Sequence, residues 1–182
     1  MDNNKIFLQT EEEQVSYKNF TILTNKIANI LVSQGLNPGD RVAAQVEKSI
    51  TQLALYAATI KAGGVYLPLN TAYTPHELNY FISNARPKII VTAKDTMGDL
   101  EKLFSSAQAI FLTLNADGTG SLSDKLKMSE TNFQAANRSK QDLAVIMYTS
   151  GTTGKSKGAK LTHQNLTSNC EVLEKSWEFS NN

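Results

Sequence analysis

The segment LAVIMYTSGTTGKSKG, residues 143–158, joins a short apolar run to a glycine-rich stretch. Residues 143–148 are apolar or aromatic, which is typical of a buried strand. Residues 149–158 contain glycines, hydroxyl side chains and the lysines Lys155 and Lys157. Glycines let successive backbone N–H groups turn toward one anion, and lysines supply positive charge for phosphate oxygens. The pattern predicts a phosphate-binding loop at the carboxyl end of a strand, but its composition is also typical of a flexible turn.

Upstream of this segment, strand patterns alternate with helix patterns. The predicted strands are residues 41–46, 65–69, 88–92, 109–114 and 143–148. The predicted helices follow caps at Ser16, Ser49 and Thr74, and another covers 97–104. Residues 50–62 are apolar on almost every side, which favours a helix packed between two layers, and 121–142 predict a short helix and a surface loop. This alternation predicts an α/β fold with a mainly parallel sheet and helices on both faces.

Composition and charge are those of an ordinary globular protein. The chain has 182 residues, of which 41% are hydrophobic, and its net charge is +1. This length suits one domain, and the balanced charge offers no electrostatic footprint for nucleic acid or an anionic membrane. The single cysteine, Cys170, cannot form an internal disulfide, and neither a targeting signal nor a membrane-spanning apolar run stands out. We therefore expect a cytoplasmic protein.

A different interpretation of the glycine-rich stretch is a Walker A loop, which reads G-x-x-x-x-G-K-[ST]. Residues 154–156 fit its last three positions, but Thr149 stands where its first glycine belongs. A Walker loop passes directly into a helix, whereas Gly158 is a poor helix residue and 160–161 favour a short extended return. The best helix cap is Thr162, about two turns too late for a Walker loop. We reject the nucleoside-triphosphatase interpretation.

Four segments stand in an order that resembles one enzyme superfamily. They are residues 148–158, 161–166 (LTHQNL), 61–70 (KAGGVYLPLN) and 15–20 (VSYKNF). Together they resemble the adenylate-forming enzymes, which include acyl-CoA synthetases, peptide-synthetase adenylation domains and luciferases. Ser156 stands where the phosphate loop of that family usually has proline. The resemblance implies the first part of the large amino-terminal, AMP-binding domain of the adenylate-forming fold.

Other segments resemble malonyl-CoA synthetases in particular. They are residues 39–49 (GDRVAAQVEKS), 64–73 (GVYLPLNTAY), 77–82 (ELNYFI) and 117–122 (DGTGSL), together with Ser156. The resemblance implies conversion of malonate, ATP and CoA to malonyl-CoA, AMP and diphosphate through malonyl-adenylate. The alternatives within enzymes are another acyl-CoA synthetase or an amino-acid adenylation domain. The alternative outside enzymes is a non-catalytic remnant or one half of a split protein.

The resemblance assigns contacts with the ATP phosphates to the glycine-rich stretch. The implied phosphate-binding residues are Thr149, Ser150, Gly151, Thr152, Thr153, Gly154, Lys155, Ser156 and Lys157. Lys157 matches the loop lysine of the family better than Lys155 does. No catalytic residue and no metal ligand are assigned in this chain, because the magnesium-binding glutamate and the acid and adenine pockets of the family lie downstream.

The resemblance also implies that residues 1–182 are an incomplete amino-terminal AMP-binding domain without the carboxyl-terminal lid domain. The expected ligands of the whole protein are ATP with Mg²⁺, malonate or another carboxylic acid, and CoA. The missing remainder of the chain is the one macromolecular partner implied, with no nucleic acid and no membrane. We expect the 182-residue polypeptide alone to have no synthetase activity.

Other chemically notable residues favour structural roles. His76 and His163 lie far apart, without a cysteine or carboxylate at metal-ligand spacing, so surface or capping roles are expected. Cys170 and Trp177 share one side of the helix predicted after Thr162. Both are therefore expected to pack in the core.

Overall fold

The computed structural model describes residues 4–11, 13–104, 109–149 and 156–178. Its strands are β1 Ile6–Gln9, β2 Gln14–Ser16, β3 Arg41–Gln45, β4 Val65–Pro68, β5 Ile89–Thr92, β6 Ile110–Thr113, β7 Leu143–Thr149 and β8 Lys157–Thr162. Its helices are α1 Tyr17–Ser33, α2 Ile50–Lys61, α3 Pro75–Ala85, α4 Lys94–Leu103, α5 Ser121–Leu126 and α6 His163–Ser176. The five predicted strands and the predicted helices are all present close to their expected positions.

The main sheet has the strand order β6-β5-β3-β4-β7-β8. Every neighbouring pair is parallel except β7 and β8, which form an antiparallel hairpin. Parallel neighbours require crossover connections, and the helices α2 to α5 provide them. All residues of β5 are buried, which explains why its sequence is an unbroken β-branched run and not an alternating one. The predicted mainly parallel α/β sheet is confirmed.

Helices cover both faces of this sheet. On one face α1, α2 and α5 contribute Leu31, Leu55 and Leu122 to a buried core. On the opposite face α3 and α4 contribute Phe81 and Leu100 to a second core. Helix α2 contacts both α1 and the sheet, which is the position between two layers that its nearly all-round apolar sequence predicts.

The helix starts follow the predicted caps. In each of four helices a hydroxyl side chain accepts a hydrogen bond from the backbone N–H three residues later, and these caps are Ser16, Ser49, Thr74 and Thr162. Two of the four also have the reciprocal bond of a capping box, through Glu77 in α3 and Asn165 in α6. Local sequence therefore decides where these helices begin.

A small antiparallel hairpin of β1 and β2 lies outside the main sheet and was not predicted. Its strands have four and three residues, too few for a period-two pattern to stand out. The ring of Phe7 packs 4.7 Å from the ring of Tyr17 and 4.8 Å from that of Phe20. The sequence pattern of this hairpin is therefore weak, and its contacts with α1 stabilise it. Within the described ranges no helix is long and apolar enough to cross a bilayer.

The prediction that Cys170 and Trp177 pack in the core is wrong. Cys170 is exposed, Trp177 is 64% exposed, and α6 has no buried residue. Leu166 packs against the first core from a half-buried position. Helix α6 follows β8, which is the edge strand of the sheet. At that edge the described residues cover only one side of the helix, so its apolar stripe is left largely uncovered.

Candidate functional site

The glycine-rich stretch connects the two strands of the β7–β8 hairpin. Strand β7 pairs in parallel with β4, and its last residue, Thr149, lies opposite Lys157 at the start of β8. The loop therefore leaves the sheet at the carboxyl edge of a parallel strand, where open α/β sheets bind ligands. The predicted extended return is confirmed, but it begins at Lys157 and is longer than the expected 160–161.

The structure describes three of the nine candidate phosphate-binding residues. The other six, Ser150, Gly151, Thr152, Thr153, Gly154 and Lys155, lie outside the described residues. Thr149 and Lys157 are exposed, and Ser156 is half-buried. The Thr149 hydroxyl donates a long hydrogen bond of 3.5 Å to the carbonyl oxygen of Lys157. The hairpin thus brings Thr149 and Lys157 together at the base of the loop.

The charge of Lys157 is available to a ligand. Its side chain makes no ion pair with any residue in the described part of the chain. An exposed ammonium group at the mouth of a loop can turn toward a phosphate oxygen without first breaking a salt bridge. This arrangement fits the role that the sequence predicts for Lys157.

Helix α3 forms hydrogen bonds with the chain on both sides of the loop. The sequence did not predict these contacts. The Tyr148 hydroxyl donates to Asn84 Oδ1 at 2.7 Å, next to the residue at which the loop begins. The Tyr80 hydroxyl donates to the carbonyl oxygen of Ser156 at 3.0 Å, next to the residue at which the loop ends. These partners are 64 and 76 residues apart in sequence, so no local pattern could reveal them.

Aromatic packing supports these hydrogen bonds. The ring of Tyr148 lies 4.4 Å from the ring of Phe81 and 6.1 Å from that of Tyr80. The ring of Tyr73 also packs against this group, 4.9 Å from the ring of Phe81. Burial raises the pKa of Tyr148 above its ordinary value, and the neighbouring Tyr80 raises it further. The Tyr148 hydroxyl is therefore protonated at neutral pH and can donate to Asn84.

Several clefts lie along the carboxyl edge of the sheet and the adjoining helices. One of about 670 Å³ lies between α3 and the end of the loop, and Tyr80, Asn84 and Ser156 are among its lining residues. A larger one of about 910 Å³ lies beyond β3, β5 and β6. Its lining contains three carboxylates and a single cation, Lys94, which disfavours a triphosphate. Charge therefore points to the loop, and not to the larger cleft, as the phosphate site.

Neither histidine forms part of a metal centre in the described structure. His76 is exposed in the first turn of α3, as expected. His163 is the first residue of α6, half-buried, and its ring Nε2 has no hydrogen-bond partner within the described ranges. The described residues contain no group of three histidine, cysteine or acidic side chains that could hold a metal ion.

Comparisons with known proteins agree with the family resemblance that the sequence motifs indicate. The family model described as AMP-binding enzyme matches residues 1–181. The structure of ATP-bound MatB from Rhodopseudomonas palustris is similar, with a TM-score of 0.95 and 47% identity over 98% of this chain and 36% of that one. A fatty acyl CoA synthetase of Mycobacterium tuberculosis has a TM-score of 0.71 and 26% identity over 83% of this chain and 30% of that one.

Curated relatives include synthases that are much longer than this chain. Tyrocidine synthase 2 of Brevibacillus parabrevis is 33% identical over 156 residues, which are 86% of this chain and 4% of that protein. Gramicidin S synthase 1 of Brevibacillus brevis is 30% identical over 93% of this chain and 15% of that protein. The chain thus spans a small part of these curated relatives and about a third of the solved structures it matches.

Proposed function

Because the chain belongs to the AMP-binding enzyme family, we propose that it is the amino-terminal part of a malonyl-CoA synthetase. The proposed reaction joins malonate to AMP with release of diphosphate, and CoA then displaces AMP to give malonyl-CoA. The observation that carries this proposal is the 47% identity to MatB over 98% of the chain, together with the segments that resemble malonyl-CoA synthetases. The β7–β8 hairpin supports it, because it carries the glycine-rich loop and the exposed Lys157.

In the first step of this reaction, a carboxylate attacks the α-phosphate of ATP. Both reactants are negatively charged, so cations and hydrogen-bond donors around the phosphates lower the barrier. The proposal gives this task to Lys157, to the hydroxyl of Thr149 and to residues 150–155. Lys157 is exposed and not held in an ion pair by any described residue, which suits contact with a phosphate.

Three ligands of the proposed reaction, Mg²⁺, malonate and CoA, have no assigned site in this chain. Mg²⁺ accompanies ATP, yet the described ranges hold no cluster of acidic or histidine side chains for it. As the resemblance to the family implies, the proposal places the magnesium ligand, the malonate pocket and most of the CoA site outside residues 1–182. The 182-residue polypeptide alone is then inactive, and the uncovered apolar side of α6 is where the remainder would pack.

The principal alternative is an amino-acid adenylation domain, since the curated relatives are peptide synthases. Identity with those proteins is 33% and 30%, against 47% with MatB. Malonyl-CoA synthetase is therefore favoured, but the acid pocket alone decides the substrate. A non-catalytic remnant is the third possibility, and it predicts no activity in any longer form of the protein.

The test begins with the coding sequence beyond codon 182. If the reading frame continues, the longer protein is purified and assayed for ATP–diphosphate exchange with malonate, acetate and the common amino acids. We expect exchange with malonate and thioester formation with CoA. Exchange with an amino acid alone would favour the adenylation domain instead.

The 182-residue chain is assayed in parallel. We expect no AMP release from malonate, CoA and ATP, and sustained release would contradict the proposed incompleteness. If the reading frame stops, a hybrid is made in which residues 1–181 of this chain replace the matching part of MatB. Failure of that soluble, folded hybrid to adenylate malonate would favour a remnant.

A further inference from the structure

Helix α3 contacts the base of the phosphate loop at two points one helical turn apart. Tyr80 and Asn84 are four residues apart, so their side chains lie on the same side of α3. Tyr80 bonds to the carbonyl oxygen of Ser156, and Asn84 accepts the hydroxyl of Tyr148. One contact lies on the strand that enters the loop, and the other lies where the chain returns from it.

Both contacts adjoin residues proposed to bind phosphate. Tyr148 immediately precedes Thr149, and Ser156 immediately precedes Lys157. Thr149 and Lys157 are also paired with each other in the hairpin. A shift of either strand relative to α3 would therefore move the Thr149 hydroxyl or the Lys157 ammonium group away from a bound phosphate.

Helix α3 is well anchored in the fold, so it can fix the position of these contacts. A capping box of Thr74 and Glu77 closes its first turn, and Pro75 stands at its first position. Four of its residues, Leu78, Phe81, Ile82 and Ala85, are buried in the second core. Groups that place a binding site are most effective when rigid elements hold them.

The contacts contribute little to folding. Tyr80 and Asn84 are exposed residues, and exposed hydrogen bonds compete with water. The hydroxyl of Tyr80 bonds to a backbone carbonyl, which fixes a position in the chain without fixing any particular side chain at residue 156. These hydrogen bonds therefore fix the position of the loop ends and add little to the stability of the fold.

We propose that Tyr80 and Asn84 are positioning residues that fix the two ends of the ATP-phosphate loop against α3. This inference rests on the proposed function, because it takes the loop to bind ATP. Loss of one hydrogen bond at the base of the loop raises KM for ATP by about threefold to tenfold, the factor expected for a single net hydrogen bond. We expect KM for the carboxylic acid to stay unchanged, because the hydrogen bonds of both residues lie at the base of the phosphate loop.

The kinetic test uses Tyr80→Phe and Asn84→Ala in the longer protein or in the MatB hybrid described above. Tyr80→Phe keeps the ring contact with Tyr148 and removes only the hydroxyl. The matched control is Tyr73→Phe, because the Tyr73 ring packs on Phe81 while its hydroxyl has no hydrogen bond among the described residues. We expect a higher KM for ATP in both variants and wild-type kinetics in the control.

A second measurement keeps the inference testable if the parent protein has no activity. Amide hydrogen exchange is followed by NMR in the 182-residue chain, with and without Tyr80→Phe. We expect at least threefold faster exchange at Lys157 and Gly158, and no change in the Tyr73→Phe control. An inactive parent with this exchange pattern contradicts the proposed function only.

Any of three outcomes would overturn the inference. An active parent whose KM for ATP is the same in all variants shows that α3 does not position the loop. Unchanged exchange at residues 157 and 158 in Tyr80→Phe shows the same without any catalytic assay. An equal rise in KM for ATP and for the acid would assign these residues a general structural role instead.

Discussion

Two glycine-rich loops leave the same edge of the sheet, one after β6 and one after β7. The first, residues 115–120, reads NADGTG, and the second, residues 149–158, reads TSGTTGKSKG. In the first loop the polar groups bond to each other. The backbone N–H of Thr119 donates to Asp117 Oδ1 at 2.9 Å, and Asn115 Nδ2 donates to the Thr119 hydroxyl at 2.9 Å.

The first loop is also tied to its own strand. Thr113 and Ser121 exchange backbone-to-hydroxyl hydrogen bonds of 2.9 and 2.8 Å across the base of the loop. Gly120 lies so close to Thr113 that a side chain there would overlap its carbonyl group. The second loop is fixed at its base by a distant helix, and Lys157 is left without an ion pair among the described residues.

Both loops are rich in glycine and hydroxyl side chains, but polar groups of the first bond to each other, whereas Lys157 of the second has no ion pair among the described residues. Donors and acceptors that satisfy each other make a rigid turn and leave little for a ligand. Charged groups that remain free can bind an anion. Glycine, threonine and serine content alone cannot separate these two outcomes.

The largest effect is expected for Gly120→Ala. Gly120 has φ 133 and ψ 172, a backbone conformation that is essentially restricted to glycine. A Cβ atom would also overlap the carbonyl group of Thr113. We expect a loss of about 3 kcal/mol or more in the free energy of unfolding, measured by urea denaturation.

The matched control for this change is Gly118→Ala in the same loop. Gly118 has φ 79, but an added Cβ atom would meet nothing within 4 Å. Gly118→Ala should lower the free energy of unfolding by only about 1 kcal/mol, the ordinary cost of a left-handed conformation. Equal losses in the two variants would contradict the close packing of Gly120 against β6.

A smaller effect, on ligand binding and not on stability, is expected for Lys157→Ala. The free energy of unfolding should change by less than about 0.5 kcal/mol, because the side chain is exposed and unpaired in the described structure. In the longer protein or the hybrid, kcat/KM for ATP should fall by about tenfold or more, since a cation near the phosphates is lost.

Lys160→Ala provides the control for this loss. Lys160 is an exposed lysine of the same strand, three residues farther from the loop. Its removal should leave kcat/KM for ATP unchanged. Similar losses in both variants would mean that general positive charge, and not contact at the loop, accounts for the effect of Lys157.

The smallest effect concerns Asp117. Hydrogen bonds from the Thr119 side chain and backbone hold the pKa of this carboxyl below its ordinary value of 3.8. A lowered pKa in the folded state means that the carboxylate stabilises the fold at higher pH, and that this contribution is lost as the pH falls through and below 3.8.

The measurement is the thermal midpoint of the wild type and of Asp117→Asn between pH 7 and pH 3. We expect the wild type to be slightly more stable near neutrality and the difference to shrink in acid. A difference that does not vary with pH would show that charge on Asp117 plays no part in holding the loop.

Much of this fold could be predicted from the sequence because its signals are local. The caps at Ser49 and Thr74 and the unbroken β-branched run of β5 each lie within a few neighbouring residues. The β1–β2 hairpin was missed because its strands are short and rings on α1 support it. Cys170 and Trp177 were misplaced because an apolar stripe shows which side of a helix is apolar, and not whether anything covers it.

The sequence by itself determined the α/β order of elements, the family and the chemical character of the phosphate loop. These properties depend on neighbouring residues and on the order of motifs along the chain. Only the tertiary structure decided that Lys157 is exposed without an ion pair among the described residues and that Tyr80 and Asn84 hold the two ends of the loop. The reason is physical, since a hydrogen bond between residues 76 positions apart exists only after the sheet and α3 have packed together.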